Sequence, residues 1–186
     1  VKLFDMSFCG AGLTVERARR EGYDAISVAV EQLDRAHFYP EKHMMSLELV
    51  VDRSDRRVLG IQGACTAGDA LKARVDAVAA VLQYGKPTVE DISNLEVSYA
   101  PPFAAAMDVV NVVGNVADNV LAGRVKPITA EEFMDLWNKR AENNVFFIDA
   151  RPAKAGQAVQ AQHPEWHSIS LEEMPSRVSE VPRDRP

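Results

Sequence analysis

Apolar and polar positions alternate through much of the first third of the chain, and this pattern predicts an antiparallel sheet. Apolar residues occupy every second position of Met45–Val51, as expected for a strand with one buried face. The charged residues 52–57 predict a hairpin loop, after which Val58–Ala64 returns as the partner strand. The β-rich segments Lys2–Cys9 and Tyr23–Val30 predict two more strands, so four are expected in this sheet.

Helical periodicity predicts helices that cover the sheet. In Asp69–Gln83 the apolar residues recur at helical spacing, at Leu71, Val75, Val78 and Leu82. A shorter helix is predicted over Val15–Glu21, and a weakly charged one over Asp108–Leu121. The two prolines in Ser98–Phe103 remove backbone donors and restrict the preceding residues, so this segment is predicted to be a rigid extended loop. The pattern as a whole predicts an α+β fold.

The pattern changes after Arg124–Pro127. Thr129 and Glu132 form a capping box for a helix predicted over Ala130–Arg140. The short apolar run Val145–Ile148 is typical of a buried parallel strand. Helix, strand and polar loop in this order predict an α/β segment, and it is incomplete because only one buried strand is evident.

Composition and charge narrow the class of protein. The chain has 186 residues, of which 47% are hydrophobic and 26% charged, as in a globular protein. Its net charge of −6 is divided evenly between the two halves, which argues against a nucleic-acid partner. Its apolar stretches are shorter than a membrane span and Val1 opens no signal-peptide pattern, so we expect a soluble cytoplasmic protein without a membrane partner.

The residues that most often carry metal or cofactor chemistry are sparse. Cys9 and Cys65 lie outside any CxxC pattern, which favours two buried structural thiols over a redox pair. The four histidines have no metal-binding spacing, so no metal site is expected. Gly10–Gly12 lacks the third glycine of a dinucleotide fingerprint, so no cofactor-binding residue is predicted either.

Six short motifs follow one another in residues 1–123, at Phe4–Asp5, Gly12–Leu13, Ala36–Pro40, Leu59–Gly63, Ser98–Phe103 and the series Asp108, Asn111, Gly114 and Asn119. Their order resembles the C-terminal dimerisation domain of the flavin-dependent pyridine nucleotide-disulfide oxidoreductases. The resemblance is to the branch that contains NADH oxidases, NADH peroxidases and coenzyme A-disulfide reductases. Residues 1–123 are therefore predicted to be a dimerisation domain, followed by a linker at 124–128.

Residues 129–186 resemble the first half of a rhodanese domain. The similarity lies in the capped helix and in the motifs Asp149–Arg151, His163–Pro164, Ile169–Glu173 and Val181–Pro186. In that family the sulfur-carrying cysteine would follow shortly after Pro186. A dimerisation domain joined to a rhodanese-like segment resembles the rhodanese-fused coenzyme A-disulfide reductases, also described as NADH-dependent persulfide or polysulfide reductases.

This resemblance implies a function for a longer polypeptide. The FAD and NADH domains and the redox cysteine would precede Val1, so the present chain is expected to be a C-terminal fragment, inert alone and without cofactor. It implies a homodimer and a small disulfide, thiol or persulfide substrate. The electron acceptor stays open among coenzyme A disulfide, polysulfide, oxygen and peroxide. The alternative is a non-catalytic interaction or scaffold module.

Two tyrosines are the candidate catalytic residues that the resemblance implies. In the family, tyrosines of one subunit approach the redox thiol of the other, and Tyr99 corresponds to one of them. Its phenol can donate a hydrogen bond or a proton to a sulfur anion. Tyr39 matches the second residue of a paired-tyrosine motif, whose first position is Phe38 here. Asp149 and Arg151 are expected to form an ion pair that braces a loop.

Overall fold

The computed structural model describes residues 1–185 and divides into two units, Val1–Pro127 (unit 1) and Ile128–Pro186 (unit 2). Pro186, which ends the predicted rhodanese-like segment, lies outside the described residues. In unit 1 the elements are β1 Lys2–Leu3, β2 Met6–Gly12, α1 Val15–Arg20, β3 Ala25–Leu33, β4 Met44–Asp52, β5 Val58–Cys65, α2 Gly68–Tyr84, α3 Val89–Ser93 and α4 Val109–Leu121.

The strands of unit 1 form one antiparallel sheet in the order β1-β2-β5-β4-β3. The alternation in β4 places Leu47 and Leu49 on the face that packs against α2, α3 and α4. Val50 points to the other face, where Ala18 of α1 covers one end of the sheet. The predicted α+β fold, an antiparallel sheet with covering helices, is confirmed.

The first predicted strand is wrong in one respect. Lys2–Cys9 is not a single strand, because the chain reverses at Phe4 and Asp5 and forms the hairpin β1–β2. Phe4 has φ 53°, a left-handed conformation that an aromatic residue rarely adopts, so the local sequence did not predict the turn. The sheet therefore has five strands instead of four.

Helices α3 and α4 approach each other closely. This contact explains why Asn111 and Gly114, two residues of the motif series after the proline pair, occupy their positions. A Cβ on Gly114 would lie 2.6 Å from the backbone nitrogen of Ser93, so only glycine fits at this crossing. The side-chain amide of Asn111 donates to the carbonyl of Leu95 at 2.8 Å and to that of Ser93 at 3.2 Å. Both residues thus fix the end of α3 against α4.

Unit 2 has the elements α5 Ala130–Asn138, α6 Arg140–Asn143, β6 Phe147–Asp149, α7 Ala153–Gln162, β7 Trp166–Ser168, α8 Met174–Arg177 and a 3₁₀ turn Val178–Glu180. The strands β6 and β7 pair in parallel and α7 connects them. The predicted helix Ala130–Arg140 ends two residues early, and the second strand was not predicted because three residues are too few to show a period.

Aromatic rings and one glycine hold the layers of unit 2 together. Phe133 and Trp137 of α5 pack on Phe147 and Trp166, with ring centroids 5.2–6.4 Å apart. On α7, a Cβ at Gly156 would lie 2.4 Å from the hydroxyl oxygen of Ser168. The absence of a side chain there lets the helix pack directly on the parallel strand pair.

The contact at Gly114 gives a stability prediction. Gly114→Ala should gain about 1 kcal/mol of helix propensity but lose about 1–3 kcal/mol to overpacking, because the obstructing atoms belong to the α3 backbone. We expect a net loss of stability in unit 1, measured as a lower urea midpoint by far-UV circular dichroism. Tryptophan fluorescence monitors unit 2 separately, since both tryptophans, Trp137 and Trp166, lie there.

Gly85→Ala is the matched control. Gly85 follows α2 in an extended conformation, and the nearest atom to a Cβ there is 3.8 Å away. This variant should leave the urea midpoint close to that of the wild type. If Gly114→Ala instead raised the midpoint by the amount expected from helix propensity, the close approach of α3 and α4 would not constrain the fold.

Candidate functional site

The two candidate tyrosines lie on loops that are hydrogen bonded to each other. Tyr39 belongs to residues 34–43, which connect β3 to β4 and are called the sheet loop below. Tyr99 belongs to residues 94–108, which connect α3 to α4 and are called the proline loop. The backbone amide of Ala36 donates to the carbonyl of Pro101 at 3.2 Å, so the sheet loop and the proline loop meet at this point.

The proline loop folds into a tight turn directly after Tyr99. The backbone amides of Phe103 and Ala104 both donate to the carbonyl of Ala100, at 2.8 and 2.9 Å. Ala104 is buried, whereas the side chain of Tyr99 is 56% exposed. The turn therefore anchors the loop by its backbone and leaves the phenol of Tyr99 accessible to another molecule.

The sheet loop is closed at its base by two hydrogen bonds. The backbone amide of Asp34 donates to the carbonyl of His43, and the amide of His43 donates to the Asp34 carboxylate, each at 2.9 Å. Tyr39 is half-buried, and its ring centroid lies 5.2 Å from that of Phe38. Phe38 is exposed, so the ring without a hydroxyl is the more accessible of this pair.

A buried carboxylate supports the base of the sheet loop. The Asp34 side chain is fully buried, and the guanidinium of Arg35 binds it at 2.7 Å. Burial alone would raise the pKa of Asp34, but the hydrogen bonds from Arg35 and from the His43 amide outweigh burial and lower it. Asp34 is therefore charged at neutral pH, and it closes the loop in this state.

An open cleft of about 420 Å³ lies beside the proline loop, and Arg74, Ser98, Phe103 and Asp108 are among the residues that line it. Arg74 and Asp108 form an ion pair of 2.8 Å in its wall. No sequence pattern indicated a role for Arg74, because a charged residue beside the apolar stripe of a helix usually faces solvent. The role of Asp34 was missed for a different reason, because its partners lie one and nine residues away in a loop that has no periodic pattern.

Large apolar side chains are exposed along both loops and at the start of β4. They are Phe38, Met44, Tyr99, Phe103 and Met107. Isolated exposed apolar residues are ordinary, whereas several on adjoining segments are typical of an interaction surface. We call this set the apolar surface of unit 1.

The glycines near the N-terminus do not form a dinucleotide site. Gly10 and Gly12 lie inside β2, where they pair with Gln62 and Gly60 of β5. A Cβ on Gly12 would meet the carbonyl oxygen of Leu59 at 2.4 Å, so this glycine allows two strands to approach each other. Residues in this conformation do not cradle a pyrophosphate, and FAD or NADH does not fit here.

The two cysteines are free and lie in neighbouring strands. Cys9 pairs with Gly63 and Cys65 pairs with Ser7, so they are not opposite each other. Cys65 is completely buried, and burial raises the pKa of its thiol. Such a thiol is a poor nucleophile, which agrees with a structural role for Cys65. Cys9 is only partly buried, so the prediction of two buried thiols is correct for Cys65 and wrong for Cys9.

Residues 1–185 contain neither a metal-binding cluster nor a membrane-spanning helix. No group of three or more histidine, cysteine, aspartate and glutamate side chains is placed to hold a metal ion in that range. Of the helices that the structure describes, none combines the length and the apolar character needed to cross a membrane.

In unit 2 the structure contains the predicted ion pair between Asp149 and Arg151. The Arg151 guanidinium binds the carboxylate at 2.5 Å, and the Arg151 backbone amide donates to it at 3.0 Å. The hydrogen bonds from Arg151 lower the pKa of Asp149. The pair fixes the loop between β6 and α7. The ring of His163 packs edge-on against that of Trp137, with the ring centroids 5.4 Å apart.

Comparison with known families defines the class of protein. The family described as pyridine nucleotide-disulphide oxidoreductase, dimerisation domain, matches residues 1–110. This match covers more than half of the chain, and it includes the antiparallel sheet and the helices α1, α2 and α3. The chain therefore belongs to the pyridine nucleotide-disulfide oxidoreductase family.

Individual relatives show which members of the family this chain resembles. The NAD(P)H coenzyme A polysulfide/persulfide reductase of Pyrococcus horikoshii is 35% identical over 115 residues, 62% of this chain and 25% of the relative. The structure of an NAD-dependent persulfide reductase from A. fulgidus aligns with 98% of this chain and 31% of its own, at 29% identity and a TM-score of 0.83. An FAD-dependent oxidoreductase of the family from Desulfovibrio vulgaris is 60% identical over 65% of this chain and 25% of its own, with a TM-score of 0.53. The chain spans about a quarter of the length of the curated relatives that it matches.

The buried Asp34 gives a pH-dependent prediction. Because its folded pKa lies below the unfolded value, its contribution is fully present above about pH 4 and is lost as the pH falls through the folded pKa. Asp34→Asn should therefore cost unit 1 about 2 kcal/mol at pH 7. The difference from wild type should shrink between pH 4 and pH 3, measured by urea unfolding at each pH.

Asp76→Asn is the control for a lost surface charge. Asp76 pairs with Lys72 on the exposed face of α2, and such pairs contribute about 0–1 kcal/mol. An Asp34→Asn variant that differed from wild type equally at pH 7 and pH 3 would show that the charge of Asp34 does not close the loop.

Proposed function

We propose that this chain supplies the dimer-forming part of an FAD- and NADH-dependent disulfide or persulfide reductase, in which Tyr99 and Tyr39 reach the redox-cysteine site of the partner subunit. The observation that carries the proposal is the exposed phenol of Tyr99 on a backbone-anchored loop of a dimerisation domain. The relatives named as persulfide reductases support a sulfur acceptor over oxygen or peroxide.

The chemistry assigned to Tyr99 is that of a hydrogen-bond donor to sulfur. When a disulfide or persulfide is cleaved, one sulfur leaves as an anion and needs a proton or a donor. A phenol hydroxyl can donate a hydrogen bond or a proton, so it can serve as that donor. Tyr39 would be a secondary donor, since its ring is half-buried beside Phe38.

The cofactors would be held by other parts of the polypeptide. The family implies FAD and a nicotinamide nucleotide, but Gly10 and Gly12 lie in a paired strand instead of a phosphate-binding loop. We therefore assign neither cofactor to the residues described here, and we expect the chain alone to be inactive and colourless.

Unit 2 would be the first half of a rhodanese domain. Its parallel β6–α7–β7 unit and the Asp149–Arg151 pair are compatible with this assignment, which rests on the motifs in the sequence. The rhodanese family carries sulfur on a cysteine that would follow Pro186, so the resemblance of unit 2 to the start of such a domain favours a persulfide or polysulfide acceptor.

Tyr99→Phe in the full-length reductase tests the proposed function. Removing one oxygen should leave folding and flavin reduction by NADH nearly intact, because the ring remains. Turnover with a disulfide or persulfide acceptor should fall by about 100-fold, the lower end for a lost general acid. Steady-state and stopped-flow kinetics with each acceptor measure the two steps separately.

Tyr84→Phe is the matched control. Tyr84 is 85% exposed at the end of α2 and belongs to neither tyrosine loop, so its loss should not affect turnover. Full turnover in Tyr99→Phe would assign Tyr99 to packing. A protein carrying this chain that neither binds FAD nor oxidises NADH would instead support the scaffold alternative.

Dimer formation through the apolar surface of unit 1 is a separate part of the proposal. Phe103 is 72% exposed on the proline loop, and burying it against a second copy would remove its ring from water. Phe103→Glu should raise the dimer dissociation constant at least about 10-fold. Sedimentation equilibrium of the 186-residue chain measures this constant.

Phe4→Glu provides the comparison. Phe4 is 97% exposed in the β1–β2 turn, at the opposite edge of the sheet from the β3–β4 hairpin. This variant should dimerise like the wild type. Equal weakening by both substitutions would indicate general repulsion between acidic chains, and a wild-type chain that stays monomeric would contradict dimerisation by this unit alone.

A further inference from the structure

One guanidinium connects the segments that carry the two candidate tyrosines. Arg74 lies in α2, and its Nη2 donates to the carbonyl of Phe103 at 2.8 Å and to the carbonyl of Asp34 at 3.1 Å. The first carbonyl belongs to the proline loop and the second to the base of the sheet loop. Arg74 therefore joins both loops to the same helix.

The same guanidinium is neutralised by the carboxylate that begins α4. Its Nη2 and Nε lie 2.8 and 3.2 Å from Oδ2 of Asp108. The other carboxylate oxygen of Asp108 accepts the backbone amide of Val110 and caps the helix. With exposures of 11% for Arg74 and 5% for Asp108, the pair is largely shielded from water.

These contacts require an arginine. The Asp108 carboxylate and the carbonyls of Asp34 and Phe103 converge on Nη2, and Nε adds a second contact to the carboxylate. A lysine could keep the charge opposite Asp108, but its side chain is shorter than that of arginine and carries a single nitrogen, so its ammonium cannot hold the carboxylate and also reach both carbonyls. Arg74→Lys therefore separates neutralisation of Asp108 from attachment of the two loops.

We propose that Arg74 is the positioning residue of the candidate site, fixing the proline loop with Tyr99 onto the sheet loop with Tyr39. Arg74 does not touch the reacting atoms in this role and acts only through the backbone of the two loops. The link to catalysis rests on the proposed function of Tyr99, whereas the attachment of the loops can be tested without it.

Hydrogen exchange in the 186-residue chain tests the attachment directly. The amides of Ala36, Phe103 and Ala104 donate to carbonyls of the proline loop, so their protection reports its order. In Arg74→Lys these amides should exchange about 10-fold faster, the effect of losing hydrogen bonds to a charged donor. Amides of β4 and β5 should exchange as in the wild type.

Arg56→Lys is the matched control. Arg56 also bridges two elements by ion pairs, to Glu90 of α3 and Asp118 of α4, but it contacts neither tyrosine loop. Its replacement should leave the amides of Ala36, Phe103 and Ala104 unchanged. Unchanged exchange of these amides in Arg74→Lys, or equal acceleration by Arg56→Lys, would overturn the inference.

A double-mutant cycle in the full-length reductase tests whether Arg74 acts through Tyr99. Arg74→Lys should lower kcat with little change in KM, and the Arg74→Lys/Tyr99→Phe protein should be as slow as Tyr99→Phe, within about 2-fold. Multiplying effects would show that Arg74 acts independently of Tyr99 and would contradict the positioning role. If Tyr99→Phe alone kept full turnover, the proposed function would fail, and the exchange experiment would still decide how the loops are held.

Discussion

The ion pair between Arg74 and Asp108 is the interaction on which the rest of unit 1 depends. Both side chains are largely removed from water, so removing one partner would leave an uncompensated charge, a change that costs about 3–5 kcal/mol in buried pairs. Asp108 also begins α4, and α4 packs through Gly114 on α3 and through its valines on the sheet. The electrostatics of one pair therefore fixes the helix layer and the loops together.

This arrangement separates a rigid frame from an accessible surface. The sheet and its helices bury a continuous apolar core, whereas the two loops expose Phe38, Tyr99 and Phe103. A loop with exposed apolar residues cannot be held in place by its own burial. Such a loop has to be fixed through its backbone. Arg74 binds one backbone carbonyl in each loop, and the Ala36 amide donates to the Pro101 carbonyl between them.

Local sequence pattern was sufficient for the elements whose burial repeats with a fixed period. The alternation of β4 and the stripe of α2 predicted both elements to within one residue at each end. The proline pair correctly predicted a loop, but the loop is not extended, because residues 101–103 form a turn closed by hydrogen bonds to the Ala100 carbonyl. The reversal at Phe4 and the three-residue strand β7 have no such period. The Arg74 acceptors in the two loops and at the start of α4 are 29 to 40 residues away in sequence, so only the tertiary fold brings them together.

Two kinds of motion have to be restricted if a tyrosine on a loop is to act on a partner subunit. They are changes in the shape of the loop and movement of the whole loop relative to the fold. Pro101 and Pro102 restrict the backbone dihedral angles beside Tyr99, which lowers the entropy lost when the loop adopts one shape. A stiff loop can still move as a body about its ends. The Arg74 contacts and the Ala36–Pro101 hydrogen bond remove this second freedom, because they connect the loop to α2 and to the sheet. A misplacement of about 1 Å can reduce a catalytic contribution by about 100-fold. The proline restriction and the hydrogen bonds that attach the loop are therefore both needed.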